Sequence, residues 1–412
     1  MNKKIELLAP AGDFSCLMAA IHAKADSIYF GIEHLNMRAH SSNNFTLGDL
    51  SEIASICKKH KVKSYLTLNT IIYDKDIEMV KNILDATKKA EIDAIIASDF
   101  AVLNYAKSID LKIHISTQTN VCNIEAVKFY SNYADVIVLA RELTLEQIKA
   151  ICQTIKDKNI CGPNGELVKI EIFVHGALCI AISGRCYMSL AQYNMSANRG
   201  KCLQACRRKY RVIEEETNKE LLINNKYIMS PKDLCTISVL DQITDSGCTI
   251  LKIEGRARPA EYVKEVTSCY KEALLAIENK SYTKDKIDIW LNKLKSVFNR
   301  GFWIGGYYLG HNLEPWSASY GSKARKKKTY VGKATNYFSK IKVAEFLIQA
   351  KELNVNDEIM IIGNKTGIIK SKINNLHADK EITIAQIGQK VAFPLSDKIR
   401  KNDKLYIIED NI

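Results

Sequence analysis

Eight short apolar runs alternate with amphipathic stretches through the first 260 residues, and this alternation limits the fold more than anything else in the chain. The runs are IELLAP, SIYFG, SYLTLN, AIIAS, KIHIST, DVIVLA, KIEIFVHG and TILKIEG. Between most of them lie segments such as LSEIASICKKH, MVKNILDATKKA and LEQIKAICQTI. There the apolar residues recur at three- and four-residue steps, the spacing of a packed helix face. Near-continuous apolar strands between helices describe a parallel sheet covered on both faces. Eight such strands predict an α/β fold, a closed (β/α)8 TIM-like barrel over 1–260. The rival is an open doubly wound sheet, but no GxGxxG phosphate loop follows any strand.

All strand ends of such a barrel open on one face, and that face holds the active site. Asn69 ends the third run, and Ser98 and Asp99 the fourth. Ser116, Gln118 and Asn120 follow the fifth, and Arg141 and Glu142 the sixth. His175 ends the seventh, and Glu254 and Arg256 end the eighth. Asp99 and Thr144 suit helix N-caps. Arg141, His175 and Arg256 are poor turn formers, which marks them for function.

The seventh strand does not run straight into a helix. An insertion over 177–235 follows, and it carries five of the twelve cysteines, Cys179, Cys186, Cys202, Cys206 and Cys235. Six, fifteen, three and twenty-eight residues separate them in turn. The insertion also contains YRVIEEETNKELLI, two apolar runs around a polar tip that read as a hairpin. Clustered thiols point to a metal or a redox step. Zinc prefers knuckles with two to four residues between cysteines, and in this cluster only Cys202 and Cys206 have that spacing. An iron–sulfur cluster tolerates dispersed ligands if four thiolates converge. Unliganded packing is the third reading. It is also the expected role of Cys16, Cys57, Cys122, Cys152, Cys161, Cys248 and Cys269, which lie mostly on helical or strand patterns.

No apolar run reaches the roughly eighteen residues of a membrane span, and the start, MNKKIELLAPAGDF, reads as a first strand and not a signal peptide. A reducing cytoplasm is the expected compartment. The net charge of +13 favours polyanionic partners. Arg199, Lys201, Arg207 and Arg208 sit beside the cysteines, and a second basic run, SKARKKK, reads as a boundary. Residues 261–322 before it are expected to form a helical extension and linker. After it, YVGKATNYFSKIKVAEFL, DEIMIIG, GIIKSKI, EITIAQIG and KLYIIED read as short strands of a small C-terminal all-β barrel over 329–412, similar in pattern to the barrel that recurs in translation factors.

The segment EIFVHGALCIAISGRCYMSLAQYNMSANRGKCLQACR resembles the signature of the collagenase-like family catalogued as peptidase U-32. ELLAPAG, ARELT, SPKDLC and KIEGR match that family in order. The family label implies proteolysis. Its better-understood members are instead oxygen-independent hydroxylases of tRNA, ribosomal RNA or ubiquinone precursors, with a 4Fe–4S cluster on four cysteines and prephenate as hydroxyl donor. Carried onto this chain, the resemblance implies Cys179, Cys186, Cys202 and Cys235 as ligands, with Cys206 as the alternative fourth. Ile182 departs from the tyrosine that many relatives carry before SGRC.

The implied activity is a tRNA wobble-uridine hydroxylase forming 5-hydroxyuridine. Prephenate has two carboxylates, so guanidinium groups are expected in its pocket. Arg141, Glu142, His175 and Arg256 are the expected catalytic residues, with His175 as acid or base. Arg38, Asn69, Gln118, Lys252 and Glu254 are expected to bind substrate. Arg199, Lys201, Arg207 and Arg208 would steer tRNA. A peptidase and a non-catalytic RNA-binding iron–sulfur factor are the alternatives, although neither HExxH nor GxSxG occurs.

Overall fold

The computed structural model describes residues 5–39, 43–210, 213, 215–217, 229–310, 316–317 and 321–411. All eight expected runs form strands. They are β1 (Glu6–Pro10), β2 (Ser27–Phe30), β3 (Lys63–Leu68), β4 (Ala94–Ala97), β5 (Ile113–Ile115), β6 (Val136–Val138), β7 (Lys169–Gly176) and, after β8 (Asp233–Cys235), β9 (Ile250–Ile253). Each pairs in parallel with the next, and β9 pairs in parallel with both β7 and β1, which closes an eight-stranded barrel.

The outer ring begins with α1 (Phe14–His22), α2 (Leu50–His60), α3 (Ile77–Lys89), α4 (Phe100–Ser108), α5 (Ile124–Tyr130) and α6 (Leu145–Asp157). Four of these starts are fixed by short polar side chains that accept backbone N–H groups: Asp13 for α1, Asp99 for α4, Asn123 for α5 and Thr144 for α6. Each such cap contributes about 1 kcal/mol. The insertion adds α7 (Met188–Tyr193), and α8 (Leu240–Asp245) follows β8. The expected hairpin lies almost wholly outside the described residues.

Two expectations about the second half change. Residues 261–322 are no separate extension. Helix α9 (Ala260–Glu278) buries Tyr262, Val263, Val266 and Tyr270 in the barrel's own apolar core and completes the ring, and α10 (Lys284–Ser296) adds Trp290 and Leu294 to it. The basic run is no free linker either. A strand over Lys326–Phe338 begins within it, with Lys326 paired to Glu358 and Lys328 to Glu261.

Alternating buried residues along Val343–Ile348 and Lys404–Asp410 turn one face of the C-terminal antiparallel sheet onto a second apolar core. Its hydrogen-bonded order runs from Gly367–Lys372 through six further strands to Glu381–Ile382 and is open. The unit docks on α1 and α9. Met360 and Ile368 join the barrel core, Lys370 pairs with Glu265, and Lys264 donates to the carbonyl of Ile368 at 2.8 Å. Gly367 (φ +66°) lies so close to α1 that a Cβ would meet His22 at 3.0 Å.

Strand β7 sets the site. It has eight residues, and its register against β9 shifts between Phe173 and His175. Beyond this bulge the end of β7 still pairs with β9 on one edge and takes β8 as an antiparallel partner on the other. A tenth strand, β10 (Phe302–Ile304), extends β8 on its far side.

Candidate active site at the barrel mouth

Inward-facing side chains of β7 and β9 form the floor of a pocket. Lys252 and Glu171 are 4% and 0% exposed and form an ion pair at 2.7 Å. The Lys252 ammonium lies 4.4 Å from the centre of the Tyr29 ring. His114 Nδ1 stands 3.8 Å from the other oxygen of Glu171. Burial opposes ionisation of Glu171, but Lys252 and His114 outweigh it and hold the carboxyl below its usual range.

One turn higher, Arg38 pairs with Glu254 at 2.9 Å, and Tyr29 donates to the carbonyl of Ile253 at 2.9 Å. Burial alone would raise the Glu254 carboxyl. Arg38, Arg256 and Arg141 override it and hold the group at about 2. Arg256 is 5% exposed and donates Nη1 to Asn36 Oδ1 and Thr67 Oγ1, both at 2.9 Å. Its guanidinium needs glycine at position 31, where a Cβ would lie 2.2 Å from Nη1. Burial lowers Arg256 to about 10, so it stays charged at neutral pH. Arg141 stacks 5.3 Å from the Phe173 ring and donates to Ala177 O and Ser183 Oγ. Asn69 donates to Ser116 Oγ at 3.2 Å and Gln118 Oε1 at 3.1 Å. The lining carries four cations; Lys252 is paired with Glu171 beneath it and Arg38 with Glu254, which leaves Arg141 and Arg256 without a paired carboxylate among the described residues. It is built for an anion.

The insertion forms the roof. Cys179, Cys186, Cys202 and Cys206 all line this pocket, and all are free thiols. Burial pushes the Cys206 thiol up to about 11, with Cys179, Cys202 and Cys186 adding to the shift against Arg207. The roof is pinned to the barrel by Asn120 to Ser183 O and by Arg199 to Asp76 at 2.6 Å, and within the roof Cys186 N–H donates to Asn198 Oδ1. The free space between roof and floor is about 140 Å³. Small-molecule sites typically measure roughly 300–1,000 Å³, so the space is small for one.

Among the described residues no three His, Cys, Asp or Glu side chains are grouped so as to hold a metal ion. A mononuclear tetrahedral thiolate site, with metal–sulfur distances of about 2.3 Å, needs sulfurs about 3.8 Å apart. An iron–sulfur cluster binds each thiolate to a different iron and spreads them wider. Four free thiols around one cavity fit the second donor set better than the first.

Several sequence-predicted residues are placed elsewhere. Cys235 does not join the other four. It is 0% exposed on β8, and burial pushes its thiol up to about 12, with Asp233 and Lys295 as its charged neighbours. His175 does not face the pocket. Lys252 and Glu254 point inward, so Ile253 between them points outward, and the bulge pairs His175 with Ile253. It packs among Tyr262, Tyr270 and Phe302, where burial lowers it to about 3. That excludes it as an acid or base on a substrate in the pocket. Glu142 is exposed and lines no part of the pocket.

Arg199 is held by Asp76 and by Ile71 O, and Arg207 by Ser230 Oγ, Pro231 O and Leu178 O. Both fasten the insertion. Lys201 and Arg208 are exposed. Of the cysteines expected to pack, Cys16, Cys57, Cys152, Cys248 and Cys269 are buried, whereas Cys122 is exposed and Cys161 half-buried. Sequence reading missed Glu171, His114, Asn36 and Phe173. The signal for Glu171 was available, as a charge inside an otherwise apolar strand.

The model of Peptidase family U32 matches residues 12–317, and the chain belongs to that family. It is 52% identical over 402 residues to a Porphyromonas gingivalis protein named collagenase, covering 97% of each chain. It is 36% identical over 277 residues to a 23S ribosomal RNA 5-hydroxycytidine synthase of Escherichia coli, covering 67% of this chain and 40% of that one. It is 31% identical over 311 residues to tRNA hydroxylation protein P1 of Bacillus subtilis, covering 73% and 70%.

Proposed function

We propose that this chain is an RNA-modifying hydroxylase that converts the tRNA wobble uridine to 5-hydroxyuridine without oxygen, with prephenate as hydroxyl donor. The observation that carries the reading is one pocket with four free thiols above and two arginines, Arg141 and Arg256, below them without a paired carboxylate among the described residues. Cys179, Cys186, Cys202 and Cys206 would hold a 4Fe–4S cluster. Such a cluster supplies electron-transfer and Lewis-acid capacity beside the reacting groups. Arg141 and Arg256, which have no carboxylate within 4 Å among the described residues, would grip the two carboxylates of prephenate. Glu254 positions Arg38, and Glu171 positions Lys252. Asn69 and Gln118 offer amide groups to the edge of a pyrimidine. Lys201 and Arg208 would draw the RNA toward the roof. The names of the Escherichia coli and Bacillus subtilis relatives support hydroxylation of RNA. A cytoplasmic site of action follows from a tRNA substrate. Among the described residues no helix is long and apolar enough to cross a membrane.

Proteolysis is the second reading, favoured by the name of the Porphyromonas relative. It needs a nucleophile and a base in contact. The roof thiols have no histidine beside them in the pocket lining. The test is anaerobic incubation of iron- and sulfide-replete protein with unmodified tRNA and prephenate, followed by nucleoside mass spectrometry, with gelatin in a parallel tube. Gain of one oxygen on uridine is expected. Intact uridine alongside cleaved gelatin would move the chain to the peptidase reading.

A further inference from the structure

A second, larger cavity of about 970 Å³ lies where the C-terminal sheet meets the barrel. On the barrel side it is lined by the start of α1 and by the loop from Arg256 to Ala260. On the sheet side it is lined by Gly363, Asn364 and the turn from Lys401 to Lys404.

Its charges are unbalanced. Asp13, which caps α1, and Asp403, which accepts from Thr366 and from the backbone of Arg400, offset part of the positive charge but not all of it. Lys328 is neutralised by Glu261. Arg258 lies 3.5 Å from the centre of the Phe298 ring, and no carboxylate lies within 4 Å of it among the described residues. Lys401 and Lys404 are exposed, and neither is in an ion pair among the described residues.

Arg256 connects this cleft to the active site. It lines both cavities and is more than nine-tenths buried. Nη1 is committed to Asn36 and Thr67, and among the described residues no acceptor takes Nε or Nη2. The loop after the last strand of a barrel is a frequent place for phosphate binding. Here that loop carries Arg256 and Arg258 together. The cleft is far larger than one phosphate group, and it shares Arg256 with the thiol-lined pocket.

We infer that this cleft holds the phosphodiester backbone of the RNA substrate next to the nucleotide that enters the pocket, with Arg258, Lys401 and Lys404 as its cations and Arg256 as the wall it shares with the pocket. The inference rests on the RNA reading above. It gives the C-terminal sheet a role, as one wall of the substrate track.

The test compares wild-type full-length protein with Lys401→Glu/Lys404→Glu. Both positions are exposed, and thermal melting checks the fold. Binding of unmodified tRNA is followed by fluorescence anisotropy between 50 and 200 mM salt. Affinity at low salt should fall about tenfold, and the slope of log K against log salt should shrink by roughly 2, one step per lost phosphate contact. Equal affinity and slope in the two proteins would overturn the cleft assignment while leaving the RNA reading intact. A wild-type protein that binds no tRNA would instead sink the RNA reading itself. If uridine monophosphate binds the wild type and is lost in the variant while tRNA is not, the cleft serves free nucleotides and the backbone assignment fails.

Discussion

The roof and the floor of the pocket face each other and are built in opposite ways. The floor is buried: Glu171, Lys252 and Arg256 are 0%, 4% and 5% exposed, Glu171 and Lys252 are bonded to each other across β7 and β9, and Arg256 donates to Thr67 on β3 and to Asn36 in the loop after β2. The roof is more exposed and is held by long-range contacts of Arg199 and Arg207. Cys179 is exposed, Cys186, Cys202 and Cys206 are half-buried, and Tyr187 beside them is 70% exposed. Side chains on strands are positioned before any ligand arrives, whereas side chains on a long insertion can rearrange around one. The two halves therefore suit different tasks. The floor presents preset charge, and the roof is where the proposed cluster would be held.

The largest expected effect tests where the fifth cysteine belongs. Cys206 is part of the roof, and Cys235 is part of the barrel wall. Cys206→Ser should lose nearly all iron and sulfide after anaerobic reconstitution. Cys235→Ser should keep both, at a cost of about 1–3 kcal/mol for a hydroxyl placed in a buried thiol's site. The opposite pattern, with iron lost only from Cys235→Ser, would break the division between roof and wall. Iron, sulfide and visible absorbance read the first effect, and urea unfolding reads the second.

The next effect belongs to the floor. Glu171→Leu leaves Lys252 buried without its counter-charge and should cost about 3–5 kcal/mol in urea unfolding. Adding Lys252→Met should recover most of that loss, because an apolar pair has no charge to strand. A surface pair such as Lys58 and Glu91, 81% and 77% exposed at the side chain, should show no measurable change when either residue is removed. A double variant as unstable as the single one would mean that packing, not charge, holds the floor.

Much of the floor could be read in the sequence, and little of the roof. Strand and helix periods are local, so the barrel and its polar strand ends (Asn69, Gln118, Arg141, Glu254 and Arg256) were visible without contacts. Whether Cys206 or Cys235 joins the site depends on where the chain returns after twenty-eight intervening residues, and spacing carries no such information. The same holds for Arg199 and Arg207, whose partners Asp76 and Leu178 lie far away in the chain. His175 failed for a subtler reason. Simple alternation from Glu171 and Phe173 points it inward, and one bulged residue reverses that.

The smallest effect lies where floor and roof meet, at Glu254. Its carboxyl sits at about 2 in the folded chain, against about 4.5 when unfolded. A depressed value means that the ionised form is favoured by folding. Its contribution is therefore complete above about pH 4.5 and is lost as pH falls toward 2. At about 1.36 kcal/mol per pH unit, the whole contribution is about 3 kcal/mol. Glu254→Gln removes the titrating group, so the stability gap between wild type and variant should be widest near neutral pH and should close between about pH 4.5 and 2. Urea unfolding in pH steps, on metal-free protein so that acid release of a cluster does not enter, measures this gap directly. A gap that is constant with pH would show that Arg38, Arg256 and Arg141 do not act on Glu254 as a charge. The preset field assigned to the floor would then stop one layer lower, at Lys252.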